Sequence, residues 1–483
     1  MSDEQPSELL AARRRKLEAL RENGVEPFPH AYPGVRSIAE AKAPHEALEA
    51  GDETDDHVRV AGRLHARRGQ GKAAFLDLDD RTGRMQLHAR VDVLGEESLR
   101  ALLDLDLGDL LGAEGTIFRT RRGELSLKLD NWELLAKSLR PPPEKHHGLT
   151  DVETRFRHRE LDLIANEEAR SLFTARAKVI TSVRRQLDDW GFIEVETPVL
   201  QPIYGGGAAR PFTTFYNALE RDYYLRVATE LYLKRLIVGG LERVYEIGKD
   251  FRNEGTSFKH NPEFTMLEWY EAYADYDDIA ARCEALVSQV AADIGYAGEL
   301  DFTPPWHRET LQDAIGSRTG VDVLAHREIE SLRAAIREAG HAVPDEETWA
   351  QMVDQLLTKH VEPKLVQPTF LRDYPVELSP FAKRHRAKDG LVERWEVYAA
   401  GMEFANAFSE LNDPDDQRRR FEEQRAFAEA GDEEAQPYDE AYVEALEYGM
   451  PPTGGIGIGI DRLVMLLTGT RSIREVVLFP AMR

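Results

Sequence analysis

The stretch VYEIGKDFRNEGTSFKHNPEFTMLEWYEAYADY, residues 244–276, decides how the rest of the chain is read. It reads as a strand, a polar loop containing Gly255, and a second strand that starts near Glu263. In that second strand a period of two places Phe264, Met266, Glu268 and Tyr270 on one face. The first strand ends at Arg252, beside the loop. One hairpin therefore gathers an arginine, the loop acid Glu254, His260, an aromatic and a strand carboxylate. Such a set suits a polyphosphate on Arg252, a stacked planar base on Phe264 and a cationic ligand on Glu268. An ordinary hairpin with surface ion pairs fits the same spacing equally well.

Around this hairpin, long helices mix with strands in antiparallel order rather than in βαβ alternation, which predicts an α+β fold. Residues 151–188 read as helical, and GFIEVETPVL (191–200) as a strand ended by Pro198. TELYLKRLIV (229–238) reads as a helix with Glu230 in its first turn and Gly239-Gly240 at its end. There a carboxylate is welcome without any ligand. Asp413–Glu434 is rich in Arg and Glu at helical spacing and predicts an exposed helix. Upstream the texture changes. HVRVAGRLHAR, KAAFLDLDD, RMQLHARVD, LLGAEGTIFRT and GELSLKLDNWELLAK, between 57 and 137, predict five strands, with one helix near 95–105. That count fits a five-stranded barrel of the oligonucleotide-binding (OB) type, or a generic small β-domain. Pro141-Pro142-Pro143 marks a stiff linker, and residues 8–23 a charged helix stopped by Gly24 and the Pro27/Pro29 pair. The expected organisation is an N-terminal helical extension (1–56), the barrel (57–140), a linker (141–150) and a catalytic domain (151–483).

Composition sets bounds. A chain of 483 residues with 42% hydrophobic and 31% charged residues is long enough for two or three globular domains. A single cysteine, Cys283, excludes an internal disulfide and a multi-cysteine zinc site, and argues for a reducing compartment. The charged N-terminus is no secretory signal and no apolar run spans a bilayer, so the expectation is a soluble, cytoplasmic protein without a membrane partner. The net charge of −25 disfavours a polyanion partner at first sight. Between His57 and Lys137, however, basic residues slightly outnumber acidic ones, and Arg67-Arg68 and Arg119–Arg122 form basic clusters. Each is equally well a solvated face. No P-loop is present, and GGIGIGIDR (454–462) is not a dinucleotide fingerprint, so ATP, if bound, is held in another way.

FRNEG followed by HNPEFTMLEWY resembles motif 2 of the class II aminoacyl-tRNA synthetases, in the form used by the lysyl-tRNA synthetase family. The likeness extends through nearly the whole chain. GFIEVETPVLQPIYGGGAARPF looks like motif 1 running into the amino-acid-binding loop, which includes Gly205. GGIGIGIDRLVML looks like motif 3, and RWEVYAAGMEFANAFSELNDP resembles the metal- and lysine-binding hairpin. The resemblance implies an antiparallel sheet flanked by helices, an anticodon-binding barrel, a homodimer, and ATP-dependent activation of lysine followed by its transfer to the 3′ end of tRNA(Lys). It places the α-phosphate on Arg252, the γ-phosphate on Arg462, and adenine against Phe264 with Glu254 at its amino edge; His260 falls near the phosphates, and Asn261 is also among the ATP-binding residues. Mg2+ falls to Glu396 and Glu403. Strict alternation puts these two on opposite faces, so a turn or bulge must lie between them. Glu230 and Glu268 match holders of the α-amino group, Asn406 lies near the carboxylate, and Glu410 with Tyr270 matches the reader of the ε-ammonium. In the barrel, Phe75, Gln86 and Glu124 match anticodon contacts, while Arg67 and Arg68 could neutralise phosphates; a core role for Phe75 is the plainer alternative. A carboxylate-rich set with almost no pocket lysine matches a dibasic substrate, whereas aspartyl and asparaginyl relatives must attract a carboxylate or an amide. Two rivals are an enzyme of the same fold that lysylates elongation factor P, which lacks the barrel, and a silent RNA-binding protein, which would have lost ATP or metal ligands.

Overall fold

Met85, Leu87 and Ala89 point inward from the otherwise polar strand Arg84–Arg90, and the same period of two recurs through five strands. The computed structural model describes residues 8–69, 71–143, 149–207, 209–346, 348–429 and 436–482. The chain divides into two compact units, Met1–Thr150 and Asp151–Arg483. In the first, β1 (Glu53–Arg68), β2 (Ala73–Asp79), β3 (Arg84–Arg90), β4 (Leu110–Arg119) and β5 (Leu125–Ala136) close into a barrel of order β1-β2-β3-β5-β4. Closure leaves no free sheet edge, and the inward rows of Val58, Val60, Leu76, Leu78, Leu127 and Leu129 make one core. The helix Glu96–Asp104 adds Leu99 and Leu102 to it. The helix Glu8–Glu22 is tied on by Arg13, which donates to the carbonyls of Leu107 and Ser138.

The second unit carries β6 (Ile193–Glu194), β7 (Leu200–Gln201), β8 (Thr213–Tyr216), β9 (Arg221–Leu225), β10 (Arg243–Phe251), β11 (Glu263–Ala272), β12 (His307–Thr310), β13 (Thr369–Pro375), β14 (Leu391–Ala399), β15 (Met402–Ser409) and β16 (Thr453–Gly459). Eight of these form a sheet of order β12-β13-β14-β15-β16-β11-β10-β6. It is antiparallel except at β12–β13 and β10–β6. The helices Glu167–Asp189, Tyr276–Ile294 and Ile460–Thr468 cover one face, meeting Trp269, Trp395, Val397 and Ile456 in a single core. The opposite face is thereby left to line a cleft. No described helix is long and apolar enough to cross a membrane.

Three expectations need correction. The helical stretch from 151 is three helices, Val152–Arg157, Arg159–Ala165 and Glu167–Asp189, because His158 and Asn166 leave helical backbone angles. The strand expected over GFIEVETPVL is split. Thr197 donates its backbone N–H and hydroxyl to Glu246 Oε2, at 3.1 and 2.7 Å, instead of to a neighbouring strand, and Pro198 has no N–H to offer. Only Ile193–Glu194 pairs with β10, while Leu200–Gln201 pairs with β9 in a separate three-stranded sheet. The helix from Pro414 ends at Glu429 within the described residues and is not simply exposed: Asp416, Gln417, Arg420 and Phe421 are buried. The remainder of that expected helix, and residues 144–148 of the linker, lie outside the described residues.

Candidate active site

Register decides which side chains meet. In the β10–β11 hairpin Asp250 faces Phe264 and Glu246 faces Glu268. On the other side of β11, Glu268 pairs with Gly457 and Tyr270 with Gly455 of β16. The GGIGIGI run is thus an alternating strand that leads into a helix: Ile456 and Ile458 enter the core, Ile460 opens the helix, and Gly457 and Gly459 line the cleft. A Cβ on Gly455 would lie 2.1 Å from Glu410 Oε1 and 2.4 Å from Tyr270 Cε1, and one on Gly457 would lie 2.9 Å from Met266 Cε. These glycines make room for the carboxylates and ring beside them. That is a different service from cradling phosphate.

The β14–β15 hairpin answers the parity problem. Ala400 and Gly401, at φ 50° and 72°, form the tight turn and pair Tyr398 with Glu403, which puts Glu403 on the face of Glu396. A bulge between Val397 and Tyr398 shifts the register by one, so that Asn406 pairs with Glu396 and also faces the cleft. Without it Glu403 and Asn406, three residues apart, would point to opposite sides.

The cleft has a volume of about 830 Å³ and is lined by Arg252, Glu254, His260, Asn261, Phe264, Glu396, Glu403, Asn406 and Arg462, and also by Glu230, Glu268 and Tyr270. The Arg252 guanidinium lies 5.1 Å from the Phe264 ring centre, and its Nε has no hydrogen-bond partner among the described residues. Arg462, in the first turn of its helix, donates to the Glu403 carbonyl at 2.8 Å and its carboxylate at 3.1 Å. Asp461 beside it accepts from Thr265 N and pairs with Arg176 at 2.6 Å, which pins the helix start to β11. Partial burial, then the cations Arg462, Lys259 and Arg252, push His260 down to about 4, so the ring is neutral at physiological pH; Ser257 Oγ meets its Nδ1 at 2.8 Å. Asn261 is buried with an unpartnered Oδ1.

Glu396 accepts from Tyr374 (2.8 Å), Tyr398 (2.5 Å) and Arg394 Nη2 (2.5 Å). Burial raises its carboxyl, Arg394 opposes, and Glu403 adds to the rise. Two carboxylates that repel one another on one wall suit a hard dication. Among the described residues no group of three or more His, Cys, Asp or Glu side chains is placed to hold a metal ion. Arg394 also donates to Asn406 Oδ1 at 3.0 Å, leaving the amide NH2 of Asn406 free to donate into the cleft.

At the other pole Glu230 opens its helix and Glu268 lies over that helix start, accepting from Thr229 N at 3.3 Å and from the Tyr270 hydroxyl at 3.2 Å. Burial, then Asp250 and Glu230, push Glu268 up to about 8. Gln436 accepts from Gly206 N and donates to Gly207 O, clamping the glycine loop. A Cβ on Gly205 would meet Leu231, and one on Gly206 would lie 2.9 Å from Glu230 Cβ. Glu410 is not at the cleft surface. It lies one layer deeper, 1% exposed, and its Oε2 is paired with Lys234, which also takes Glu230 Oε1 at 2.5 Å. The expectation of a nearly lysine-free pocket is therefore corrected. Lys234 stands one helical turn after Glu230, a Glu-to-Lys spacing that was available to find it. Gln436, Arg394, Tyr374 and Tyr398 carry no comparable local signal.

On the barrel, Phe75 stacks on His88 (ring centres 4.7 Å apart, planes at 9°), and His88 meets Phe118 at 5.7 Å, a row of rings on the outer face. Phe75 is half-buried and apart from the core. Gln86 Oε1 accepts from Ser126 Oγ at 3.1 Å, and Glu124 is exposed in the β4–β5 turn, 3.9 Å from Lys42. Arg68 is paired with Asp77 at 2.8 Å and Arg67 donates to the carbonyls of Leu103 and Leu105, so both already hold partners in the barrel.

Residues 151–483 match the family model of the class II tRNA synthetases (D, K and N), and residues 58–135 match that of the OB-fold nucleic acid binding domain. Among similar proteins, the lysine–tRNA ligase of Moorella thermoacetica is 50% identical, covering 100% of this chain and 99% of the relative. That of Roseiflexus sp. is 51% identical over 99% of each. That of Halalkalibacterium halodurans is 49% identical over 99% of this chain and 97% of the relative.

Proposed function

Since the chain belongs to the class II tRNA synthetases, with full-length likeness to lysine–tRNA ligases, it joins lysine to tRNA, and we propose that the cleft of the second unit does so through a lysyl-adenylate made from ATP. The observation that carries the proposal is the joining in one cleft of two arginines, Arg252 and Arg462, with buried carboxylates in excess, Glu230 and Glu268. Arg252 takes the α-phosphate and Arg462 the γ-phosphate; adenine lies against Phe264 with Glu254 at its amino edge, and His260 and Asn261 flank the nucleotide. Glu230 and Glu268 hold the α-ammonium of lysine within the Gly205–Gly207 loop, Asn406 faces its carboxylate, and Glu410 with Tyr270 reads the distal ammonium. The lysine carboxylate, already ionised, attacks the α-phosphorus and pyrophosphate leaves; a terminal ribose hydroxyl of the tRNA then attacks the adenylate carbonyl. No side chain serves as nucleophile, so positioning and charge stabilisation carry the catalysis. Glu396 and Glu403 would hold Mg2+, which neutralises charge on the phosphates when bound.

The test is pyrophosphate exchange with each of the twenty amino acids in turn. Exchange with lysine alone is expected; exchange with aspartate or asparagine, or none at all, sinks the reading. The buried carboxyls supply a second, independent check. Because Glu268 and Glu410 are both raised to about 8, each is partly protonated at neutral pH. Binding two ammonium groups favours the ionised forms. Lysine binding at pH 7 is thus expected to release protons, and the KM for lysine to fall as pH rises from 6 towards 8. Calorimetry in two buffers of different ionisation enthalpy reads this directly, and identical heats would remove both carboxyls from the lysine site.

We assign tRNA anticodon reading to the barrel, with Phe75 as a stacking platform and Gln86, Glu124, Arg67 and Arg68 around it. The phosphate role is open to Arg67 and Arg68 only if they exchange their present partners. Phe75→Ala is expected to raise the KM for tRNA by removing a stack of about 1–3 kcal/mol, leaving lysine activation without tRNA unchanged. An equal loss of both activities would contradict separate modules. We also propose a homodimer in the cytoplasm. Ile193, Leu200, Phe215 and Leu219 are about half exposed on adjoining segments of the second unit, an apolar surface that a second copy would cover. Sedimentation should give twice the chain mass, and Phe215→Asp should weaken the association.

A further inference from the structure

The helix Glu230–Val238 carries Lys234 on the turn behind Glu230, and its side chain is fully buried. Nζ contacts Glu230 Oε1 and Glu410 Oε2, and the rings of Phe381, Tyr270 and Phe408 surround it at 5.3, 5.8 and 5.8 Å. Glu410 Oε1 faces Gly455 and the Tyr270 ring and has no hydrogen-bond partner among the described residues. One oxygen of a buried carboxylate is therefore committed to an internal ammonium while the other is idle. Buried carboxylates are ordinarily satisfied, so an unpartnered oxygen one layer behind the cleft wall, beside Tyr270, is placed to accept from a donor that reaches it.

We propose that Lys234 is a positioning residue for substrate selection: by holding Glu230 and Glu410 together it aims one oxygen of Glu410 at the distal ammonium of the substrate and sets the charge the pocket presents. The inference rests on the reading of the cleft as a lysine site. Charge arithmetic supports it. Glu230, Glu268 and Glu410 bring three carboxylates to this pole, and Lys234 neutralises one, which leaves two for a substrate with two ammonium groups. Without Lys234 one buried carboxylate stays unbalanced even with both ammonium groups bound.

The groups that face this ion cluster are Glu230 from its own helix, Glu268 and Tyr270 from β11, Glu410 at the end of β15, and Tyr442 from the helix Glu440–Glu447, with Asp439 ahead of it. Burial works against the charge on Lys234, but Glu230 and Glu410 outweigh it and hold Nζ protonated above the usual lysine range. Burial pushes Glu410 upward, Lys234 opposes, and Glu230 adds to the rise. Removing Lys234 therefore leaves Glu410 protonated further into the alkaline range.

The experiment compares full-length wild type, Lys234→Met and Lys234→Arg in lysine-dependent pyrophosphate exchange between about pH 6 and pH 9. Lys234→Met is expected to lower kcat/KM for lysine by ~100-fold at neutral pH and to move the acid limb of its profile up by about one unit, with the KM for ATP unchanged. Lys234→Arg keeps the cation but spreads it over a larger planar head; the limb should stay in place and the KM for lysine rise ~tenfold. A Lys234→Met profile with the wild-type limb, or a proportionate loss in lysine and ATP parameters alike, overturns the proposal. Should Lys234→Met fail to fold, Lys234→Arg decides alone: a raised KM for lysine with ATP unaffected supports it, and wild-type constants overturn it. Wild-type protein that exchanges no pyrophosphate with lysine would instead overturn the functional reading on which this one stands.

Discussion

Arg252→Ala is expected to lower the rate of lysine-dependent pyrophosphate exchange by about two to three orders of magnitude, the usual loss when one preorganised donor to developing charge is removed. The arginine stands directly after β10, its backbone N–H bonded to Pro262 O at 2.9 Å, so the hairpin and not the guanidinium holds the chain in place. The side chain lies over Phe264 with its Nε unpartnered, and among the described residues no carboxylate is in ion-pair contact with it. Stability and dimerisation should therefore survive. Charge on the α-phosphate grows during attack, so the contact strengthens in the transition state and the loss should fall on kcat more than on the KM for ATP. A folded variant with near-normal exchange would take Arg252 out of the reacting centre.

Glu410→Gln is the second large effect. It keeps size and hydrogen-bonding ability and deletes the charge, leaving Lys234 buried with Glu230 as its remaining close carboxylate partner. The distal ammonium of the substrate then meets a neutral amide backed by an internal cation. Breaking a buried pair in this way costs roughly 3–5 kcal/mol, two orders of magnitude or more in lysine activation. The ratio of kcat/KM for lysine to that for norleucine should narrow by a similar factor, with ATP binding little changed. An unchanged ratio would make Glu410 a structural acid and pass the reading of the ammonium to Glu268, whose carboxylate lines the cleft and accepts from Tyr270.

Alternation in KAAFLDLDD and RMQLHARVD was enough to foresee the barrel strands, because a closed barrel buries one side of each strand and wets the other. The β10–β11 hairpin was legible for the same reason: Leu267 and Trp269 enter the core while Phe264, Met266, Glu268 and Tyr270 face the cleft. Motif spacing named the family, and full-length relatives bear it out. Where local pattern and tertiary partner competed, the partner won. Thr197 gave up the ladder for Glu246, and Asp416 and Arg420 went inward as a buried ion pair although their spacing reads as solvated.

The amino-acid order by itself determined the α+β class, the five-stranded barrel, the hairpin with its cleft-facing residues and the family, since each rests on periodicities and motifs contained in short segments. Only the tertiary structure decided that Asn406 joins Glu396 and Glu403 on one face, because that turns on a one-residue bulge that alternation cannot announce. It alone showed that Glu410 lies behind the cleft wall on Lys234, because the charge state of a carboxylate depends on what is packed around it, and here the cation comes from a helix 176 residues earlier in the chain (410 − 234).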